Sequence, residues 1–227
     1  MREACSVALQ RVVDAQPDLV IVVGDDSGRS TYGAGTHGSF AGFGVPVTTA
    51  LPGADMDGRV ANRDRDRLPL SLAVAAMLME RVRPWPSVRG EGLPTTMTSV
   101  DAVALGAEWA DSAGRVALIA MGDGAATLTV KAPGYLVEGA DQWQELVTQA
   151  LAEADLAAVK AIAPADADTF QAAGRVAWQV AAGAADGAAE PSGADPSGAE
   201  RWVGELLADE SPYGVAYLVA VWQRTST

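Results

Sequence analysis

A three-layer α/β fold, with a mainly parallel central sheet flanked by helices, is what this chain predicts, and three observations lead there. Residues 19–23 and 115–121 are near-continuous apolar runs without alternation, the pattern of strands covered on both faces. Each run ends in Gly-Asp, at Gly24-Asp25-Asp26 and at Gly122-Asp123-Gly124. Segments with helical spacing of apolar residues interleave with these runs from end to end, so one domain over residues 1–227 is expected.

The elements follow in order. Residues 2–15 read as a helix with Ala4, Val7, Ala8, Val12 and Ala15 near one face, stopped by Pro17-Asp18 before the first strand. A Gly-rich loop, residues 28–44, carries six glycines and His37. Val45-Pro46-Val47-Thr48-Thr49 reads as a further strand whose proline places it at an edge or a strand start. Residues 52–67 are charged and turn-rich, a surface loop, and 68–82 form a helix with Pro69 in its first turn. Pro84-Trp85-Pro86 stops that helix, residues 99–111 form another, and Gly114 leads into the second apolar strand. Helices are expected over 137–152, 156–162 and 165–185. Residues 187–198, with Pro-Ser-Gly-Ala beginning at Pro191 and again at Pro196, read as a mobile low-complexity loop. A short helix over 202–208 and a last strand over 215–222 complete the reading.

Composition excludes several classes of function. The formal net charge is −13, with 16 Lys and Arg against 29 Asp and Glu, which argues against a nucleic-acid backbone as partner. The most apolar runs are too short to span a bilayer, and no signal peptide is expected, since Met1-Arg2-Glu3 runs into an amphipathic helix pattern. Cys5 is the single cysteine, so no intrachain disulfide forms and a soluble protein of the reducing cytoplasm is expected. Histidine also occurs once, at His37, so one chain cannot build a two-histidine metal site. Hydrophobic residues make up 49% and aromatics 6%, so the interior is built from Ala, Val and Leu, with the six tryptophans as core or helix–sheet packing.

Ligands of open α/β sheets collect outside the carboxyl ends of the strands. Asp25, Asp26 and Asp123 therefore converge in expectation on one crevice, with Glu210, before the last strand, as a fourth carboxylate. Such a group can hold a divalent ion, with Asp25, Asp123 and Glu210 as its ligands, or act as an acid/base pair. An Asp after a strand also caps turns and helices, and that alternative stands beside the functional one. Gly33 to Gly44 lacks the Gly-Lys-Ser/Thr of a phosphate loop and the helix that a dinucleotide fingerprint needs. His37 is a candidate base, and Lys131, close after Asp123, a candidate partner for an anionic group.

Several segments, taken in order, resemble one family. They are Met121-Gly122-Asp123-Gly124; Lys131-Ala132-Pro133-Gly134-Tyr135-Leu136; Gly174-Arg175-Val176-Ala177-Trp178-Gln179-Val180; and Ser211-Pro212-Tyr213-Gly214-Val215-Ala216-Tyr217-Leu218-Val219. With the Gly38 to Gly44 loop they look like the class III extradiol ring-cleavage dioxygenase B-subunit-like proteins of the stand-alone actinobacterial type. The resemblance implies a three-layer α/β fold whose active members hold Fe(II) with two histidines and a glutamate and use a further histidine as acid/base. Tyr213, in the last of these segments, joins Asp25, Asp26 and Lys131 as a ligand-binding candidate. This chain lacks the Pro-His-Pro-Pro segment of the first ligand, has Gly24-Asp25-Asp26 where the second lies, and has Ala126 near the acid/base position. Asp123 matches the family's aspartate, and Glu210 is a remnant of the carboxylate ligand. Relatives carry one more strand upstream, so the chain is expected to lack the N-terminal strand.

The expected function is small-molecule or partner binding in the old crevice, with the Fe(II) site lost. The alternatives are an enzyme using Asp25, Asp26, Asp123 and Glu210, or residual ring cleavage. A sheet edge at the N-terminus would invite pairing, so a homodimer is expected.

Overall fold

The computed structural model describes residues 1–53, 67–187 and 201–225. Its main sheet has four strands: β1 (Leu19–Asp25), β2 (Ser30–Tyr32), β5 (Ser87–Leu93) and β6 (Val116–Ala120), in the order β2-β5-β1-β6. β1 runs parallel to both β5 and β6, and only β2 is antiparallel. The sheet is mixed, mostly parallel and flanked by helices, as the apolar runs predict.

Helices α1 (Arg2–Asp14) and α2 (Leu70–Met79) cover one face, with Leu9, Val20, Val22, Leu72, Ala76 and Met79 in a common core. Helices α3 (Ser99–Ala110) and α7 (Arg175–Gly187) cover the other, packing Leu105, Trp109, Val176 and Val180 onto Ile21 and Val23. The third cluster joins α4 (Ala140–Glu153), α5 (Leu156–Lys160) and α6 (Pro164–Thr169) to α7 through Val147, Leu151, Val159, Ala167 and Trp178. Two hairpins complete the chain: β3 (His37–Ser39) with β4 (Thr48–Ala50), and β7 (Arg201–Glu210) with β8 (Tyr217–Thr225).

Local chemistry accounts for most boundaries. Gln16 adopts φ 50 and Pro17 follows, ending α1. Its buried stripe is Leu9 with Val12 and Val13, while Val7, expected inside, is exposed. α2 is apolar nearly all round because the sheet and the β3–β4 hairpin enclose it. Thr98 caps α3: its Oγ1 accepts from Asp101 N at 3.1 Å and donates to Asp101 Oδ2 at 2.7 Å.

Several expectations are corrected. β5 has no counterpart among the elements expected from sequence; it is an interior strand whose Gly90 and Gly92 admit Leu51, Tyr32 and Asp26 at close range. Residues 202–208 are strand, because β7 finds a long antiparallel partner in β8 and tolerates a bulge between Leu206 and Ala208. The helix expected over 165–185 is two helices, α6 and α7, broken where Gln171 takes φ 52. β6, expected to be buried, is a half-exposed edge strand, and β1, near the expected N-terminal edge, lies inside the sheet. The Gly-rich loop contains β2 and β3. The loop expected over 52–67 falls mostly, and the mobile segment over 187–198 almost wholly, outside the described residues. Among the described residues, no helix is long and apolar enough to cross a membrane.

The tryptophans pack. Trp109 and Trp178 are buried, Trp143 lies 5.1 Å from Phe170, and Trp85, Trp202 and Trp222 donate their indole N–H to Met79 O, Ala185 O and Leu151 O.

Candidate functional site

The carboxyl ends of β1 and β6 lie side by side. Val23 pairs with Ala120, and Met121 N donates to Val23 O at 2.8 Å, carrying the register to the strand exits. Asp25 and Asp123 leave the sheet at the same end. The Gly122 backbone lies against Gly174, where a Cβ would overlap Gly174 Cα, and Gly174 N donates to Asp123 O at 3.0 Å. The turn before α7 is thus seated on the exit of β6.

Protein packed around Asp123 strips water from its carboxyl and raises its pKa, and the charge of Asp25 raises it further. Asp123 is nonetheless exposed, as are Gly122 beside it and Tyr217 opposite, so solvent screens the displacement. Tyr217, at the start of β8, completes the cluster. Its phenol is raised by burial and then by the charge of Asp123. Backbone hydrogen bonds from Gly124 N to Ala216 O (3.0 Å) and from Ala216 N to Ala125 O (2.9 Å) fix that juxtaposition. Sequence reading found both aspartates. It missed Tyr217, whose place depends on a fold-back that no local pattern announces.

The other candidates are placed elsewhere or already engaged. Asp26 Oδ2 accepts from Tyr32 Oη at 2.6 Å and its Oδ1 from Ser27 N at 2.6 Å, which makes it a turn-building group between β1 and β2. His37 is exposed on the β3–β4 hairpin, where its carbonyl accepts from Leu68 N. Lys131 is exposed, and Tyr213 is 88% exposed at φ 59. Glu210 Oε1 holds the Met1 ammonium at 2.6 Å on the exposed end of β7.

These donors do not fit Fe(II) held by histidines and glutamate. Among the described residues, no group of three His, Cys, Asp or Glu side chains is placed to hold a metal ion. The pair Asp25 and Asp123, with Tyr217, offers instead hydrogen-bond acceptors, a carboxyl inclined to keep its proton, and a phenol donor.

Two buried polar clusters escape the sequence reading. Glu91, 4% exposed, accepts from Thr31 Oγ1 at 2.9 Å and lies 2.7 Å from Arg89 Nε, an ion contact not aligned as a hydrogen bond; Arg89 in turn covers the Trp109 ring at 5.7 Å. Arg175 donates to Gln179 Oε1, Thr95 O and Met97 O, tying the start of α7 to the loop after β5.

No protein-family model matches this chain, and no curated protein matches it at a significant level.

Proposed function

We infer that the chain is an extradiol dioxygenase B-subunit-like protein whose crevice at the carboxyl ends of β1 and β6 binds a small polar molecule. One observation carries this reading: Asp123, desolvated beside a second carboxylate and a phenol, sits where open α/β sheets collect ligands. Asp25 and Asp123 offer the ligand carboxyl oxygens and the Tyr217 phenol offers a donor, and burial and the charge of Asp25 shift Asp123 toward its protonated form. The net charge of −13 favours ligands without phosphate, and the single cysteine favours the cytoplasm. A homodimer remains our reading of its assembly, on the family resemblance alone.

A second reading draws on the same pair. A carboxyl that holds its proton next to one that accepts can serve as general acid and general base. Binding comes first because a ligand must be held before either group acts on it.

The test is a thermal-shift series with small amines, amides, polyols and catechols, beside Mn²⁺, Mg²⁺ and Fe²⁺. It compares the wild type with Asp123→Asn and Asp25→Asn. A polar organic ligand near saturation is expected to raise Tm by about 5 °C, and both substitutions to abolish the shift. A shift indifferent to both substitutions, or one produced by metal ions alone, counts against the reading.

A further inference from the structure

Gln144 is buried on α4, a helix that carries none of the candidate site residues, and it is 6% exposed. Both ends of its amide are engaged. Oε1 accepts from Ala125 N at 2.8 Å, and Nε2 donates to Thr148 Oγ1 at 3.0 Å, one turn further along α4. These partners fix the orientation of the amide, because the N–H of Ala125 requires an acceptor. Ala125 is fully buried, so an apolar side chain in place of Gln144 would leave that N–H without a partner.

The bond falls at the junction that brings Asp123 and Tyr217 together. Gly124, between Asp123 and Ala125, is wedged between α4 and the residue before Tyr217. A Cβ on Gly124 would lie 2.6 Å from Gln144 Oε1 and 2.8 Å from the Ala216 Cβ. Gly124 N donates to Ala216 O, and Ala216 N donates to Ala125 O. Asp123 leaves this junction on one side and Tyr217 on the other. The hairpin that carries Tyr217 is fastened to the same helix. Trp222 Nε1 donates to Leu151 O at 2.6 Å, and a Cβ on Gly204 would overlap Ala152 O. α4 thus holds both carriers, the hairpin near its carboxyl end and the turn after β6 through Gln144. The bond from Gly174 N to Asp123 O comes from the other side, at the start of α7, and seats the exit of β6 without reaching the hairpin.

We propose that Gln144 is a positioning residue of the crevice: through the N–H of Ala125 it sets how closely Asp123 faces Tyr217. Its consequence for a ligand rests on the binding reading above, while the placement itself is measured without one. Asp123 feels burial and the charge of Asp25, and Tyr217 feels burial and the charge of Asp123, so the titrations of both report how the junction is packed.

The test is a pH titration of the whole chain by NMR, following the Asp123 carboxyl carbon and the Tyr217 ring. Gln144→Met keeps most of the bulk and removes the acceptor. Both titrations are expected to move down by several tenths of a unit, toward about 3.9 for the aspartate and about 10 for the phenol, as water enters the loosened turn. Gly124→Ala drives the turn away from an intact Gln144 and is expected to reproduce both shifts, which keeps the test open if Gln144→Met does not fold. Gln144→Glu restores an oxygen for Ala125 N, and the aspartate is expected to stay at or above its wild-type value. Val147→Ala removes packing from the same helix. It is expected to lower Tm and leave both titrations in place. Titrations unmoved by Gln144→Met and Gly124→Ala, or moved as far by Val147→Ala, overturn the proposal and leave Gln144 a residue of stability alone. A fall in the aspartate with Gln144→Glu overturns it equally. The ligand series answers separately: shifted titrations in a chain that binds no polar ligand would uphold the role of Gln144 and remove the binding reading.

Discussion

Two carboxyls hold protons more tightly in the folded chain than in the unfolded one, and burial is the main cause for both. Glu91 is raised by desolvation, only partly offset by the Thr31 hydroxyl and the charges of Arg89 and Arg29, while Asp123 is raised by desolvation and by Asp25. For an acid with a raised native pKa, the folded state binds the extra proton. Stability is then greatest below the unfolded value, about 4.3 for Glu, and declines as pH rises through the native value. Glu91→Gln keeps an acceptor for Thr31 and removes the ionisation. Urea unfolding of this variant at pH 5.0 and 7.5 is expected to show a smaller fall in stability with pH than the wild type shows. An unchanged fall would mean that Glu91 ionises in the fold at no cost, with Arg89 fully compensating its burial. None of this was legible in Ser87-Val88-Arg89-Gly90-Glu91-Gly92-Leu93, where charge and glycine interrupt any apolar run or alternation that would mark a strand. Asp25 and Asp123 were legible because a Gly-Asp after an apolar run marks a strand exit. Tyr217 was not, because its neighbour Asp123 lies far away in the chain.

Elements declared themselves where one period dominated. α1, α2, α3, β1 and β6 follow from apolar spacing alone, whereas β5 and β7 depend on partners. β5 is made a strand by β1 and β2 on its two sides, and β7 by β8, because long-range pairing overrides weak local preference. The contact of α3 with α7 is equally silent in sequence, since it runs through absent side chains. A Cβ on Gly106 would overlap Val180 O, and one on Gly183 would overlap Val103 O, so the two helix backbones meet directly. Gly183→Ala gains about 1 kcal/mol of helix propensity. It also forces the two helices apart, at about 1–3 kcal/mol or more for overpacking. A net fall in Tm is expected by calorimetry, and a rise would mean that the crossing relaxes without loss. Arg175→Met keeps much of the side-chain length and leaves Thr95 O and Met97 O without the donor that now holds them. We expect a loss of about 3 kcal/mol, or roughly 6–12 °C in Tm. Retained stability would show that water replaces the guanidinium at the start of α7.

At the scale of the whole molecule, charge works against the fold. The chain carries −13 at pH 7 with a pI near 4.4, so its acidic surface repels itself. Ion pairing offsets little of this. Met1 with Glu210, Arg11 with Glu205, and Lys160 with Asp186 are pairs whose carboxylates are more than half exposed, the kind that contributes little to stability. Salt screens both the repulsion and the pairs, over a Debye length of about 10 Å at 0.1 M. Repulsion involves the whole surface and the pairs only a few sites, so the repulsive contribution is the larger one removed. Raising NaCl from about 0.02 to 0.5 M is therefore expected to raise Tm by a few degrees at pH 7.5. The gain should shrink toward pH 5, where the net charge falls toward the pI near 4.4. Glu205 works in the opposite sense, because its hydrogen bond to Arg11 holds its pKa low, so its contribution is lost as pH falls. It is fully exposed and only one group, against two raised carboxyls and the surface charge. A Tm that falls with salt at pH 7.5 would reverse this ranking and make the surface pairs, above all the two that tie α1 to β7, the larger contribution.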